Sequence, residues 1–163
     1  MAILQIIKDD DPTLRKTSRE VTEITPRILT LLDDMAETMR HANGVGLAAV
    51  QVGVLRRVVV IECTPGELIE LINPKITSQK GEQRDYEGCL SIPGKYGMTV
   101  RPQSVTVEAL DRSGKLRKYT GSGMLAKAFC HEIDHLDGIL YTDKAIKMLS
   151  DAELQELFED DER

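Results

Sequence analysis

The sequence has no tryptophan, two phenylalanines and four tyrosines in 163 residues. Platforms on which bases or sugar rings could stack are therefore scarce. No apolar run approaches the ~20 residues of a membrane span. The opening stretch Met1 to Pro12 has no basic segment ahead of its short apolar part, and it runs straight into Asp9, Asp10 and Asp11. It does not read as a secretory leader, and a cytoplasmic protein with no membrane partner is the expectation. Cysteine is sparse: Cys63, Cys89 and Cys130 are the full set, and an odd number in a leaderless chain favours free thiols over a disulfide framework. Positive charge is also short. With 21 Lys and Arg against 27 Asp and Glu the net charge is −6, which argues against a broad nucleic-acid-binding face, since such faces are built from clustered Lys and Arg.

What is present suits one soluble globular domain spanning residues 1–163. Hydrophobic residues make up 41% and charged residues 29%, far from the composition of a disordered chain. Thr25-Pro26 opens a helix as N-cap and first helical residue, and Ile28, Leu31, Leu32, Met35 and Met39 recur at helical spacing to about His41. Val58 to Ile61 is a β-branched run of strand length, and a second strand is expected from Glu67 to Asn73, ending at Asn73-Pro74. Val105 and Val107 alternate with polar neighbours, Asp111 to Gly114 makes a turn and Leu116 to Thr120 returns, an antiparallel hairpin. Ser122 or Gly123 precedes a helix from Met124 to Leu136, stopped by Gly138. Ser150-Asp151-Ala152-Glu153 fits a capping box for a short terminal helix, with Leu149 and Leu154 placed as a hydrophobic staple. The strand connection that can be read is a hairpin rather than a βαβ unit, so the expected class is α+β, with antiparallel strands packed around the Met124 to Leu136 helix.

That helix carries His131-Glu132-Ile133-Asp134-His135. Side chains four apart lie one turn above each other, so both imidazoles can face one metal ion while Glu132 sits beside it, the arrangement that metal-assisted hydrolysis needs. A catalytic metal usually has three protein ligands and one open position. Glu153 or Glu156 could supply the third, as in a conventional metallopeptidase, but both sit on the acidic terminal helix. Cys89, held between a glycine and a proline-terminated segment in Glu87 to Gly94, is the better candidate as a thiolate. A closed structural site would need Cys63, Cys130 or His41, none of them at a convincing ligand spacing. Cys63 reads as a small core hydrophobe, His41 as a surface residue, and Asp134 as an orienting group with Arg101 as its candidate partner.

The residues match a known pattern in three places. Gly44 to Gln51 follows G-x-G-L-A-A-x-Q, Glu87 to Ser91 follows E-G-C-L-S, and His131 to His135 follows H-E-x-D-H, in that order. With these, and with Asp11 to Arg15 near the start, the chain resembles the bacterial peptide deformylases over nearly its whole length. The departure is Cys130, where many members have Gln. It lies ~100° around the helix from His131 and is read as facing the packing. The resemblance implies that Cys89, His131 and His135 hold one divalent metal ion, expected to be Fe2+ with Ni2+, Co2+ or Zn2+ able to substitute. It assigns Glu132 as proton shuttle, and the Gln51 side chain and the Leu90 backbone N–H as oxyanion donors. It places Gly44, Val45 and Gly46 along the substrate, pairing with it as an added strand. The implied substrate is an N-formylmethionyl nascent peptide, cleaved to formate and a free N-terminal methionine. Some members dock a C-terminal helix on ribosomal RNA. Here Ser150 to Arg163 is strongly acidic, with Arg163 as its single basic residue, so direct nucleic-acid binding by this tail is not expected. Ribosome association is expected to be weak or to use another surface, with Leu154, Leu157 and Phe158 packing the terminal helix back on the domain.

Overall fold

In the computed structural model, residues 2–161 are described. The first helix, α1 (Pro26–His41), begins as its sequence dictates. The Thr25 hydroxyl accepts from the Ile28 N–H, and Ile28, Leu32, Met35 and Met39 are buried on one stripe while Leu31 is only half-buried. A short strand β1 (Gly46–Ala48) follows, then a single 3-10 turn over Ala49–Val52 that ends on Gly53 with φ 81°. The strand β2 (Val58–Ile61) is buried along its whole length, as a continuous β-branched run between covering layers should be.

The next strand, β3 (Ile69–Lys80), does not stop at Asn73-Pro74 as the sequence suggested. Asn73 takes φ 53°, and its amide accepts from the Val21 N–H and donates to the Val21 carbonyl, both at 2.8 Å. The ladder to β6 (Ser104–Leu110) shifts register between Ile72 and Lys75 and then resumes. The missing proline N–H is thus absorbed in a bulge rather than ending the strand. The hairpin of β6 with β7 (Leu116–Ser122) is in the expected place, with Leu110 opposite Leu116.

Between β3 and β6 lies a hairpin of β4 (Gln83–Cys89) and β5 (Ile92–Arg101). The strands form two antiparallel sheets, β1-β2-β3-β6-β7 and β4-β5 with a two-residue strand β8 (Lys147–Met148). The long helix α2 (Met124–Leu136) packs on β1, β2, β6 and β7 of the larger sheet and touches β5 of the smaller. It is capped by Gly123, and it ends before Gly138, whose φ of 74° and contact with the Arg15 carbonyl leave no room for a side chain. A one-turn helix α3 (Tyr141–Lys144) and the terminal helix α4 (Asp151–Asp161) complete the chain. The capping box of α4 is formed, with the Ser150 N–H donating to Glu153 and the Glu153 N–H to the Ser150 hydroxyl, both at 3.2 Å. Leu154 is buried, and Phe158 meets the Tyr96 ring edge-on at 5.8 Å. Glu162 and Arg163, the end of the acidic tail, lie outside the described residues. No helix among the described residues is long and apolar enough to cross a membrane.

Candidate active site

Helix α2 is the spine of the site because it is buried on nearly every side: His131, Glu132 and His135 are all buried along with Ala128, Phe129 and Leu136. Buried polar groups need partners, and His131 has one of high quality. Its Nδ1 lies 2.5 Å from Glu87 Oε1. Glu87 in turn receives two hydrogen bonds from the Arg101 guanidinium, at 2.7 and 3.1 Å, and one from the Thr99 hydroxyl at 2.6 Å. Arg101 spends its remaining arm on Asp134 at 2.7 Å, and Lys144 reaches the same carboxylate. With Nδ1 engaged, the other ring nitrogen of His131 is aimed inward. Burial pushes the Glu87 carboxyl up, but His131 and Arg101 outweigh it and hold the group at about 2. Glu87 is therefore a fixed anion.

Cys89 ends β4, where the strand turns through Leu90 and Ser91 to meet β5 at Ile92. Its Sγ lies 3.4 Å from His135 Nε2, which lies 3.3 Å from His131 Nε2. The three donor atoms all fall within 4.8 Å of one another. Two nitrogens bound to one tetrahedral ion at about 2.0–2.1 Å stand about 3.3–3.4 Å apart. The spacing, the convergence of a thiol and two ring nitrogens, and the His131 ring fixed from behind together fit a divalent ion of borderline softness. Burial drives the His135 imidazole well below its usual range, while at His131 the neighbouring Glu132, Cys89 and Glu87 outweigh burial and push the ring the other way.

Two further groups face this cluster. Glu132 is buried, and its Oε1 has no hydrogen-bond partner among the described residues. Burial pushes this carboxyl up to about 7, against the pull of His131, so near neutrality it can take up or release a proton. Gly46 of β1 makes this placement feasible, because a Cβ there would lie 2.5 Å from Glu132 Oε2. The Gln51 amide is fixed in orientation. Its Oε1 accepts from the Ala48 N–H at 3.0 Å, so its NH2 is left to face Ser91 Oγ at 3.1 Å and Cys89 Sγ at 3.5 Å.

These groups open on a cavity of about 570 Å3 lined by Gly44, Val45 and Gly46 on one side, Tyr86 to Leu90 on another, and Met124, Lys127, Ala128, His131 and Glu132 from α2. β1 is the edge of its sheet, so one row of its main-chain groups borders the cavity without a strand partner. A wider groove of about 1080 Å3 beside α1 carries Arg19, Arg27 and Arg56 but no histidine or cysteine.

Every site residue expected from the sequence is thus gathered here, Leu90 and Val45 included. The alternatives are not: Glu153 is held by Lys147 and Ser150, His41 is exposed, and Cys63 and Cys130 pack against the larger apolar core. The Arg101 to Asp134 contact is present. Sequence reasoning missed Glu87 and Ser91 as the groups that position His131 and Gln51, although both belong to the Glu87 to Ser91 motif.

A thiol and two imidazoles beside a buried carboxylate and an open strand edge fit a metal-dependent hydrolase of the α+β class. The comparisons narrow the class. Residues 3–151 match the family model of polypeptide deformylase. The chain is 59% identical to the peptide deformylase of Acetivibrio thermocellus, over 95% of this chain and 91% of the relative. It is 56% identical to that of Caldanaerobacter subterraneus, over 95% and 97%. The crystal structure of a peptide deformylase from Legionella pneumophila superposes with a TM-score of 0.85 at 41% identity, covering 99% of this chain and 98% of that one. That of Synechococcus elongatus in complex with actinonin gives 0.84 at 36% identity, covering 94% and 82%. The chain belongs to the polypeptide deformylase family, whose members are metal-dependent hydrolases that remove the N-formyl group from the N-terminal methionine of new proteins.

Proposed function

We propose that this cleft performs that reaction on N-formylmethionyl nascent peptides, with Cys89, His131 and His135 holding one divalent cation and Glu132 carrying the proton. The observation that bears most weight is the juxtaposition of Glu132 with the glycine edge of β1. The base stands where an extended chain lying along Gly44, Val45 and Gly46 would present its N-terminal group. When bound, the ion supplies a Lewis acid that lowers the pKa of a coordinated water toward neutrality. Glu132 accepts a proton from the attacking water as the water oxygen joins the formyl carbon. The Gln51 NH2 and the Leu90 N–H stabilise the oxygen that gains charge; the Gln51 carbonyl is tied to Ala48, so its donor needs no reorientation. Glu132 then delivers the proton to the amine nitrogen as the carbon–nitrogen bond breaks, leaving formate and a free methionine terminus.

The family resemblance makes ferrous iron the expected native ion, with nickel, cobalt or zinc as expected substitutes, and one thiolate and two imidazoles suit all four. A cytoplasmic location, where nascent chains emerge, is expected of an enzyme performing this reaction. Burial of Leu154 and the edge contact of the 47% exposed Phe158 with Tyr96 support a structural role for α4, leaving any ribosome association weak or on another face. The test is metal analysis of protein purified without oxygen, paired with formate release from a formyl-Met peptide. Stoichiometric iron and rapid release are expected; a metal-loaded protein that releases no formate overturns the proposal.

A further inference from the structure

Opposite Gly88 the ladder between β4 and β5 is interrupted. Between the pairs Glu87 with Gly97 and Cys89 with Ile92, β4 spends one residue and β5 spends four: Pro93, Gly94, Lys95 and Tyr96. The surplus residues bulge out of the hairpin, with Gly94 at φ 76°, and all four line the cavity. Pro93, Gly94 and Lys95 are exposed, so packing does little to fix this wall. Two hydrogen bonds reach it from the C-terminal part of the chain. The Leu149 N–H donates to the Tyr96 carbonyl at 2.9 Å, and the Tyr141 hydroxyl donates to the Lys95 carbonyl at 3.2 Å.

Tyr141 is 1% exposed and opens the one-turn helix α3, which packs on both β4 and β5. Its ring lies 24° from parallel with the His131 ring, with the centroids 6.1 Å apart, within the range of favourable offset aromatic contacts. The bond to Glu87 fixes the direction of His131 Nδ1, yet the imidazole can still tilt about its soft second torsion. A flat neighbour along the ring face opposes that tilt. Phenylalanine would supply such a neighbour, but only the tyrosine hydroxyl also reaches the bulge. We infer that Tyr141 is a positioning residue with two separable duties: its ring steadies His131 for the metal, and its hydroxyl holds the wall formed by residues 93–96 in place for the substrate. The second duty rests on the deformylase reading; the first needs only the cluster of Cys89, His131 and His135.

Tyr141→Phe keeps the ring and removes the tie to the wall, whereas Tyr141→Met removes the ring as well and fills the space with a flexible apolar chain. One hydrogen bond shifts an equilibrium by about 2–12-fold net. Tyr141→Phe is therefore expected to raise KM for formyl-Met-Ala-Ser by about threefold to tenfold, with kcat and Zn2+ affinity unchanged. Exchange of the Leu149 amide, followed by NMR, should quicken by a similar factor, because its acceptor Tyr96 is next to the released carbonyl. Tyr141→Met should add a fall of about tenfold in Zn2+ affinity, the lower end of what a ligand loses with an orienting partner. That affinity is measured on the metal-free protein by competition with a chromophoric chelator, and Tyr141→Leu takes the place of Tyr141→Met should the latter fold poorly. An unchanged KM or unchanged Leu149 exchange in Tyr141→Phe overturns the wall duty. Equal Zn2+ affinity with and without the ring overturns the other. If the metal-loaded wild type releases no formate, the deformylase reading fails, while the chelator and exchange measurements still decide on Tyr141.

Discussion

Replacing Arg101 by methionine should damage this protein more than any substitution on its surface. Arg101 is 3% exposed, and its guanidinium grips the buried Glu87 with two hydrogen bonds and Asp134 with a third. Methionine fills similar volume but leaves Glu87 with only Thr99 and His131. Removing one partner of a buried ion pair costs about 3–5 kcal/mol, because the remaining charge is stranded in a poorly solvating interior. That is a large share of the about 5–15 kcal/mol by which a domain is stable. Arg101→Lys should recover only part of the loss, since an ammonium cannot present two parallel donors to a carboxylate. Urea unfolding of the metal-free protein measures this term. A second readout separates position from stability: Glu87 aims His131, and loss of such an orienting partner lowers metal affinity about 10–100-fold, measured by competition with a chromophoric chelator. In the Glu87→Gln/Arg101→Met double variant no anion is stranded, so its cost should be well below the sum of the single costs. The reasoning is refuted if Arg101→Met unfolds within about 1 kcal/mol of wild type and binds metal equally well.

Glu132→Gln should keep its metal and fold but lose about 10²–10⁴ in kcat, the worth of a general acid–base group; full activity, or inactivity explained by metal loss, would contradict the assignment. Gly46→Ala should fold and lose most of its kcat/KM, because its methyl would occupy the place of Glu132 Oε2; wild-type activity in that variant would show that the carboxylate does not need the space. Asp111 accepts from the Ser113 N–H and hydroxyl, the Lys115 N–H and Arg117, and these bonds hold its carboxyl below the ordinary Asp range. A depressed pKa gives stability that is present above the unfolded value near 4 and lost as pH falls through the folded one. The β6–β7 turn should therefore loosen only in strong acid, and an Asp111 titration by NMR at the usual position would contradict this. In air the ferrous enzyme should lose activity through its metal or Cys89 faster than the nickel form; equal decay in the Cys130→Gln background, which removes a second thiol, would count against it.

The sequence exposes best those features whose cause is local. Helix α1 announces itself through Thr25, Pro26 and a 3.6-residue stripe, and the β6–β7 hairpin through alternation and an Asp-Arg-Ser-Gly turn. The metal-binding pattern on α2 needs only the four-residue spacing of His131 and His135. The β4–β5 hairpin escapes such reading because, Ile92 apart, its buried positions are Glu87, Gly97, Thr99 and Arg101 rather than large apolar residues. Thr99 and Arg101 point inward to serve Glu87, so the strand lacks the hydrophobic alternation that normally reveals one. Gly88 and Gly97 further disguise it, although each is small for a tertiary reason: Tyr96 lies over the first and Met148 over the second. The continuation of β3 past Asn73-Pro74 was hidden likewise, since the rescue comes from Val21, 52 residues away.

The same convergence explains how one site could serve every nascent chain and yet demand a formylated methionine. Residues 44–51, 87–91 and 131–135 lie far apart in sequence and meet because α2 is flanked by the edge strand of one sheet and the hairpin of the other. An edge strand offers only main-chain N–H and C=O groups, which pair with any extended peptide whatever its side chains. On the proposed reading, recognition along β1 would be blind to sequence, and discrimination would fall at the buried end of the cleft beside α2. There Glu132, Gln51 and the Cys89, His131 and His135 cluster come together. Selectivity concentrated at the terminus, with indifference beyond it, follows from placing the chemistry where an open sheet edge runs into a buried helix.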